Sequence, residues 1–186
     1  NNSFKNRKLK VSIVGNSPTL LNSNSGETIN KSDVVIRCNN FVIEGFEDDV
    51  GINTSMVFIT PACLPNKNLF KLPEYRINIL CNGNFYETSA AQERMNRENG
   101  TGLDINKLAI LSDYFIEKCK SDIGLSKDIW PSSGLLAICW VVNFMNRLEV
   151  SFDLNLFGFS FYKESGERLQ HYYPITTKRD NCHNFD

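Results

Sequence analysis

Several things are missing from these 186 residues, and each absence argues against a class of function. No stretch reaches the roughly 18 apolar residues that a membrane span needs, although 41% of the chain is hydrophobic. Neither sign of charge is in excess. The formal net charge is −1, and a broad nucleic-acid surface would need a strong basic surplus. The six cysteines (Cys38, Cys63, Cys81, Cys119, Cys139, Cys182) contain no C-x-x-C pair, so a structural zinc is not expected. No D-x-D occurs. Asp48 and Asp49 are adjacent, and neighbouring side chains diverge on an extended segment. The first strand is not followed by G-x-G-x-x-G: Gly15-Asn16-Ser17-Pro18-Thr19-Leu20 lacks the second and third glycines, which argues against a dinucleotide-binding oxidoreductase. Histidine is scarce, with only His171 and His183, both near the end.

What remains is the composition of an ordinary globule, 22% charged, long enough for one domain with a sizeable core. No repeat or low-complexity tract marks a boundary, so residues 1–186 read as a single domain, truncated at one or both ends since the chain opens on Asn1. Lys5, Arg7, Lys8 and Lys10 form a basic run ahead of the first strand. It reads as a solvated end, with peripheral contact to anionic lipids as the second reading. Cys81 and Cys139 sit in apolar runs, where free cysteine behaves as a small hydrophobe, so a reduced chain is expected. Asn30, Asn53 and Asn99 each open an N-x-S/T triplet, which an Asn-rich sequence produces by chance.

Five β-branched or apolar runs predict strands: 10–14, 33–38, 56–60, 76–81 and 154–159. A polar stretch around 88–98 and the segment 113–120 read as helical. The run from Ser132 to Arg147 is the best helix, apolar nearly all round and therefore expected to be buried. Alternating strands and helices predict an α/β fold with a Rossmann-like, mostly parallel sheet flanked by helices. In such sheets ligands bind beyond the carboxyl ends of the strands. Here those ends carry Gly15-Asn16-Ser17, Arg37-Cys38-Asn39-Asn40, Thr60, Asn82 and Phe159-Ser160. Asparagine amides offer a donor and an acceptor together, which suits a nucleoside, but asparagine also favours turns.

The segments Val11 to Ser17, Ile36-Arg37-Cys38-Asn39-Asn40, and Gly45 to Gly51 with Thr54 resemble the large sialylmotif of glycosyltransferase family 29. Trp130-Pro131-Ser132-Ser133-Gly134, an apolar helix, and Leu156-Phe157-Gly158-Phe159 resemble the small sialylmotif. His171-Tyr172-Tyr173 is similar to the third motif and His183-Asn184-Phe185-Asp186 to the start of the very-small motif. The four stand in the family's order. Gly-Asn-Ser-Pro, Arg-Cys-Asn-Asn-Phe and Gly-Phe-Ser-Phe-Tyr are similar as well to bacterial family 42 sialyltransferases. Two departures stand out. Ser151 occupies the place of the small-motif cysteine, so the family's disulfide between large and small motifs has no counterpart, and Pro174 replaces an acidic residue after the third motif.

The resemblance implies a GT-A-like variant of the α/β fold and a metal-independent, inverting transfer. A nonulosonic acid would move from a CMP-sugar to a glycan hydroxyl, with no cofactor and no nucleic-acid partner. CMP leaves as an anion, so the site must stabilise growing negative charge. Without a metal, the start of the helix after Pro131 supplies N–H groups, the Ser132 and Ser133 hydroxyls and the positive dipole end, although either serine could simply cap a core helix. Carried over residue by residue, His183 is the general base and His171 bonds the departing phosphate. Imidazole titrates where such a base must. Gly15, Asn16, Ser17, Asn39, Ser132, Ser133, Gly134 and Tyr172 are the expected donor-binding set, with Tyr172 and Trp130 either packing on the nucleotide or forming core or rim. Glu47, Asp48 and Asp49 are expected to shape a turn. The departures favour a bacterial or otherwise divergent member in the cytoplasm, at most membrane-associated, rather than a Golgi resident. A non-catalytic CMP- or glycan-binding module of the same fold is the alternative.

Overall fold

The computed structural model of the chain describes residues 7–60, 77–81, 108–126, 128–160 and 172. Six strands form one sheet: β1 (Leu9–Val14), β2 (Val34–Cys38), β3 (Met56–Ile59), β4 (Ile77–Leu80), β5 (Leu108–Ile110) and β6 (Phe152–Phe157). Their order is β5-β4-β3-β2-β1-β6, and every pairing is parallel. The chain steps outward from β1 to β5, then returns to the far side of β1 as β6. The winding therefore reverses between β1 and β6, and a crevice for a ligand is expected beyond the carboxyl ends of those two strands.

Strand alternation explains why both faces are covered. Val11 and Ile13 of β1, fully buried, point to one face. There they pack with Ile36, Phe58 and Ile79 against Ile116 and Cys119 of α3 (Asp113–Asp122) and Leu136, Ala137, Val141 and Met145 of α4 (Ser133–Arg147). Val14 points to the other face and joins Val35, Leu20, Ile29, Val50 and Tyr172. Complete burial of a Val or Ile stabilises by about 1.5–3 kcal/mol, so β1 is the anchor of both layers. Ser12 shares the second face without penalty, because its hydroxyl meets that of Ser32 at 2.6 Å.

The second layer is built from two short helices, α1 (Gly26–Asn30) and α2 (Glu47–Val50). Their backbones touch: a Cβ at Gly26 would stand 2.1 Å from the Glu47 carbonyl oxygen. Asn30 then ties the chain beyond α2, its Oδ1 accepting from the N–H groups of Ile52 at 2.8 Å and Asn53 at 3.1 Å.

Four of the expected strands match closely. β6 is shifted, starting at Phe152 and ending at Phe157, so Gly158 and Phe159 lie in a loop. β5 was not expected; three residues, Leu-Ala-Ile, are too short to show a period of two. The stretch around 88–98 lies outside the described residues. α4 is less enclosed than its composition suggests. Its deep stripe is Ser133, Leu136, Ala137, Val141 and Met145, while Phe144 is 41% exposed. Among the described residues no helix is long and apolar enough to cross a membrane. The basic run is partly spoken for: Arg7 pairs with Asp33, and Lys8 Nζ stands 2.5 Å from Asp153. Both are surface pairs of small energetic worth.

Candidate functional site

The reversal point is made by the loops after β1 and β6 and the start of α4. Three glycines let these backbones close on one another. A Cβ on Gly15 would meet the Gly158 carbonyl oxygen at 2.5 Å, and one on Gly134 would meet the Phe159 ring at 2.7 Å. Gly158 has φ +69, and a Cβ there would be 2.6 Å from Leu20 Cδ1. Backbone bonds lock the arrangement, from Gly15 N to Phe157 O at 2.8 Å and from Ser17 N to Gly158 O at 3.0 Å. Phe159 is thus a wedge between the first loop and α4.

Asn16 and Asn39 sit on this floor. The Asn16 amide nitrogen donates to the carbonyls of Cys38 and Asn40, both at 2.9 Å. This bridges the ends of β1 and β2. Its Oδ1 is buried and has no hydrogen-bond partner among the described residues, which is costly unless a donor arrives. Asn39 has φ +53, a conformation asparagine tolerates better than most residues. Its Oδ1 accepts from Thr60 N at 2.9 Å and from the Ser133 hydroxyl at 3.1 Å. One amide oxygen therefore joins the ends of β2 and β3 to the start of α4, large-motif residues to small-motif residues.

The serines divide their labour. Ser132 caps α4, its hydroxyl accepting from Leu135 N at 3.2 Å, and Ser133 is buried and used on Asn39. Ser17 caps the single 3-10 turn Pro18–Leu20, accepting from Thr19 N at 3.3 Å. What α4 offers a ligand is the set of first-turn N–H groups that a helix cannot pair internally. Trp130 is half-buried against the core rather than standing free.

Tyr172 is core. It is 3% exposed, its ring edge-on to Phe46 at 5.2 Å. The hydroxyl donates to Val42 O at 2.5 Å and accepts from Val42 N at 2.9 Å, and the backbone N–H donates to Asn16 O at 3.1 Å. A ring so placed has no face for a nucleotide; it holds the loop that carries Asn16. His171 and His183 lie outside the described residues.

Sequence reading gave Arg37 no role. It is fully buried, donating through Nε to Thr54 at 2.9 Å and through Nη2 to the carbonyls of Val50, Gly51 and Asn53 at 2.9–3.0 Å. Its guanidinium lies over Phe41, 5.3 Å from the ring centroid. Burial holds its pKa down to about 10. The signal was available, since Arg37 and Thr54 were both part of the large-motif match. The acidic run is structural: Asp49 accepts from Asn22 N and Asn24 N, each at 2.9 Å, and Glu47 from Gly45 N at 2.9 Å. No two cysteines pair among the described residues, so the β1–β6 junction, with Leu9 N donating to Ser151 O at 2.9 Å, is non-covalent.

A family model described as glycosyltransferase family 29 (sialyltransferase) matches residues 2–186. The mouse CMP-N-acetylneuraminate-beta-galactosamide-alpha-2,3-sialyltransferase 4 is 27% identical over 186 residues, covering 89% of this chain and 54% of that protein. The Arabidopsis thaliana beta-1,6-galactosyltransferase GALT29A is 51% identical over 53 residues, 28% of this chain and 13% of that protein. Among solved structures, a mammalian sialyltransferase in complex with Gal-beta-1-3GalNAc-ortho-nitrophenol superposes with a TM-score of 0.61 at 24% identity, covering 89% of this chain and 60% of that one. The chain thus spans about half the length of the mouse relative. The GT-A-like fold is as expected. The likeness to bacterial family 42 is left without support. The bacterial, cytoplasmic placement is overturned, because the full-span relatives are mammalian Golgi sialyltransferases, which sit in the Golgi lumen.

Proposed function

The chain belongs to glycosyltransferase family 29, and from that premise we propose that it transfers a nonulosonic acid, sialic acid or a relative, from a CMP-sugar to a glycan hydroxyl. The observation that carries this reading is the Asn39–Ser133 bond, which ties the carboxyl end of β2 to the start of α4 on the side of the sheet where the winding reverses and a ligand crevice is expected. In that crevice the first-turn N–H groups of α4 receive the phosphate. The unpartnered Asn16 Oδ1 accepts a donor from the ribose or the base. Gly15 and Gly134 keep backbone and ring close enough to wall the nucleotide. Ser17, Ser132, Asn39, Ser133 and Tyr172 act at one remove, as positioning residues.

The acceptor hydroxyl attacks the anomeric carbon opposite CMP and inverts it. His183 takes the hydroxyl proton, and His171 bonds the departing phosphate. No metal or other cofactor is required, since fixed donors replace a metal at the developing charge; the missing D-x-D motivates this. Incubating the full-length protein with several CMP-sugars, with and without acceptor glycans, tests the proposal through acceptor-stimulated CMP release. CMP binding without turnover would favour the non-catalytic module, which Pro174 suggests. Turnover only with a galactosyl nucleotide would align the chain with the plant relative instead.

A further inference from the structure

We infer that Asn53 carries an N-linked glycan, at the edge of the sheet opposite the donor crevice. The inference rests on the family reading, and on the chain reaching the lumen that its full-span relatives occupy. Three triplets, at Asn30, Asn53 and Asn99, have the acceptor pattern N-x-S/T, and the fold separates them. A glycan is bulky and hydrophilic, so the folded chain tolerates it only where the amide nitrogen opens to solvent. Asn53 is exposed and Asn30 half-buried. Asn30 commits its Oδ1 to the N–H groups of Ile52 at 2.8 Å and Asn53 at 3.1 Å, which holds its amide against the loop it braces. Asn53 Nδ2 donates one hydrogen to Asn30 O at 3.0 Å, leaving its second hydrogen for substitution. The backbone beneath is fixed: Asn53 O accepts from the buried Arg37 at 3.0 Å, and Ser55 N donates to Val35 O at 2.7 Å. The first sugar would stand beside Ile52, which is 59% exposed. Asn99 lies outside the described residues.

The transfer balances with a lipid diphosphate-linked oligosaccharide as donor, acting on the chain before it folds. Asn53 Nδ2 attacks the anomeric carbon of the first sugar. A carbon–nitrogen bond forms, the carbon–oxygen bond to the diphosphate breaks, and the lipid diphosphate leaves with the electron pair. One Nδ2 hydrogen departs as a proton, taken up by the diphosphate, and nothing is oxidised or reduced. The other stays on nitrogen and keeps the bond to Asn30 O. Every pairing in the sheet is parallel, so the Asn53 loop, which enters β3 at Met56, lies at the amino edge. The four residues of β3, about 13 Å at roughly 3.3 Å each, separate it from Asn39 and Thr60. The glycan therefore leaves the crevice open.

The test uses wild-type full-length protein purified from its own cells. Its peptides are treated with a peptide N-glycosidase in heavy-oxygen water, which turns a glycosylated asparagine into a labelled aspartate. Mass spectrometry then maps the label beside a control without the enzyme. Label at Asn53 and none at Asn30 is expected. Asn53→Gln, expressed in the same cells, should lose a glycosidase-sensitive step in gel mobility that Asn30→Gln keeps. Trimming the glycan to its first sugar on the folded wild type should leave CMP affinity unchanged. An unlabelled Asn53 overturns the inference, as does label confined to Asn30. Acceptor-stimulated CMP release by such an unlabelled preparation would leave the transferase reading standing, so the two failures are told apart. Loss of CMP affinity on trimming would overturn the placement at the far edge.

Discussion

Asn39 offers the sharpest test of how the site is held together. Its Oδ1 satisfies the Thr60 N–H at 2.9 Å and the buried Ser133 hydroxyl at 3.1 Å, while its backbone sits at φ +53. In Asn39→Ala both donors lose their acceptor, costing about 1–3 kcal/mol. Alanine at positive φ adds about 1–2 kcal/mol. The expected loss of stability is therefore roughly 2–5 kcal/mol, read from the urea midpoint at constant m. Asn39→Gly isolates the backbone share, because glycine adopts positive φ freely; it should be more stable than the alanine variant by about 1 kcal/mol. Asn39→Asp keeps the acceptor and replaces the amide nitrogen with a negatively charged oxygen. It should fold nearly as well as wild type and bind CMP at least tenfold more weakly, since a carboxylate within the crevice repels the phosphate. Calorimetry with CMP reads that difference. An alanine variant within 0.5 kcal/mol of wild type, or an aspartate variant with undiminished CMP affinity, would refute the reasoning.

Gly15→Ala should be worse than Gly134→Ala, because the first meets the Gly158 backbone at 2.5 Å and the second the movable Phe159 ring at 2.7 Å; overpacking of about 1–3 kcal/mol for Gly15→Ala is read by thermal unfolding, and equal midpoints would reject the wedge. Tyr172→Phe leaves Val42 O and N without their hydroxyl partner and should cost about 1–3 kcal/mol, weakening CMP binding through the loop that carries Asn16; unchanged stability and CMP affinity would rule this out. Under reducing conditions, stability should fall as pH rises from 9 to 10. Burial holds the Cys38 and Cys119 thiols above their ordinary 9.0, Cys119 at about 12, so their contribution is whole below pH 9 and lost toward the folded values. Arg37, held down to about 10, opposes the fall only above pH 10, and a flat urea midpoint between pH 8.5 and 10 would refute the assignment. In full-length protein, His183→Ala should lower turnover by about 10²–10⁴ with donor affinity kept, and His171→Ala should lower both; wild-type transfer by His183→Ala would dismiss it as the base.

Much of this was legible because strands in a doubly covered sheet carry their burial in their composition. Val11, Ile13 and Val14 could be read as strand without knowing which cluster each would join. The winding order could not, since nothing in the run Phe152–Phe157 says that it returns to β1 rather than extending the far edge. The donor-site glycines were legible as motif letters, yet their reasons, the approach of Gly15 to the Gly158 backbone and of Gly134 to the Phe159 ring, are revealed only by the fold. Tyr172 and Arg37 show the opposite limit. An aromatic ring near a nucleotide motif suggests contact with the ligand, and the buried cation suggested no role at all, yet both brace the scaffold, because hydroxyl and guanidinium find backbone partners within the loops they hold.

The departures from the motif pattern fit together once the bonds around α4 are counted. With Ser151 in place of a cysteine, large and small motifs need another fastening. The fold supplies two: the parallel β1/β6 ladder, running from Leu9 against Phe152 to Val14 against Phe157, and the Asn39–Ser133 bond at the crevice. The ladder fixes the loops that carry Gly15 and Gly158, and the polar bond fixes the helix start to the end of β2. A covalent bridge at residue 151 would constrain only the entry of β6, at the end of the sheet away from the ligand. A bond at Asn39 constrains the ligand end itself, at the cost of exposing that fastening to whatever competes for a buried amide. Occupancy of the crevice and stability of the α4 junction should accordingly be coupled, since a ligand that satisfies Asn16 Oδ1 orders the same loops that Asn39 and Ser133 hold.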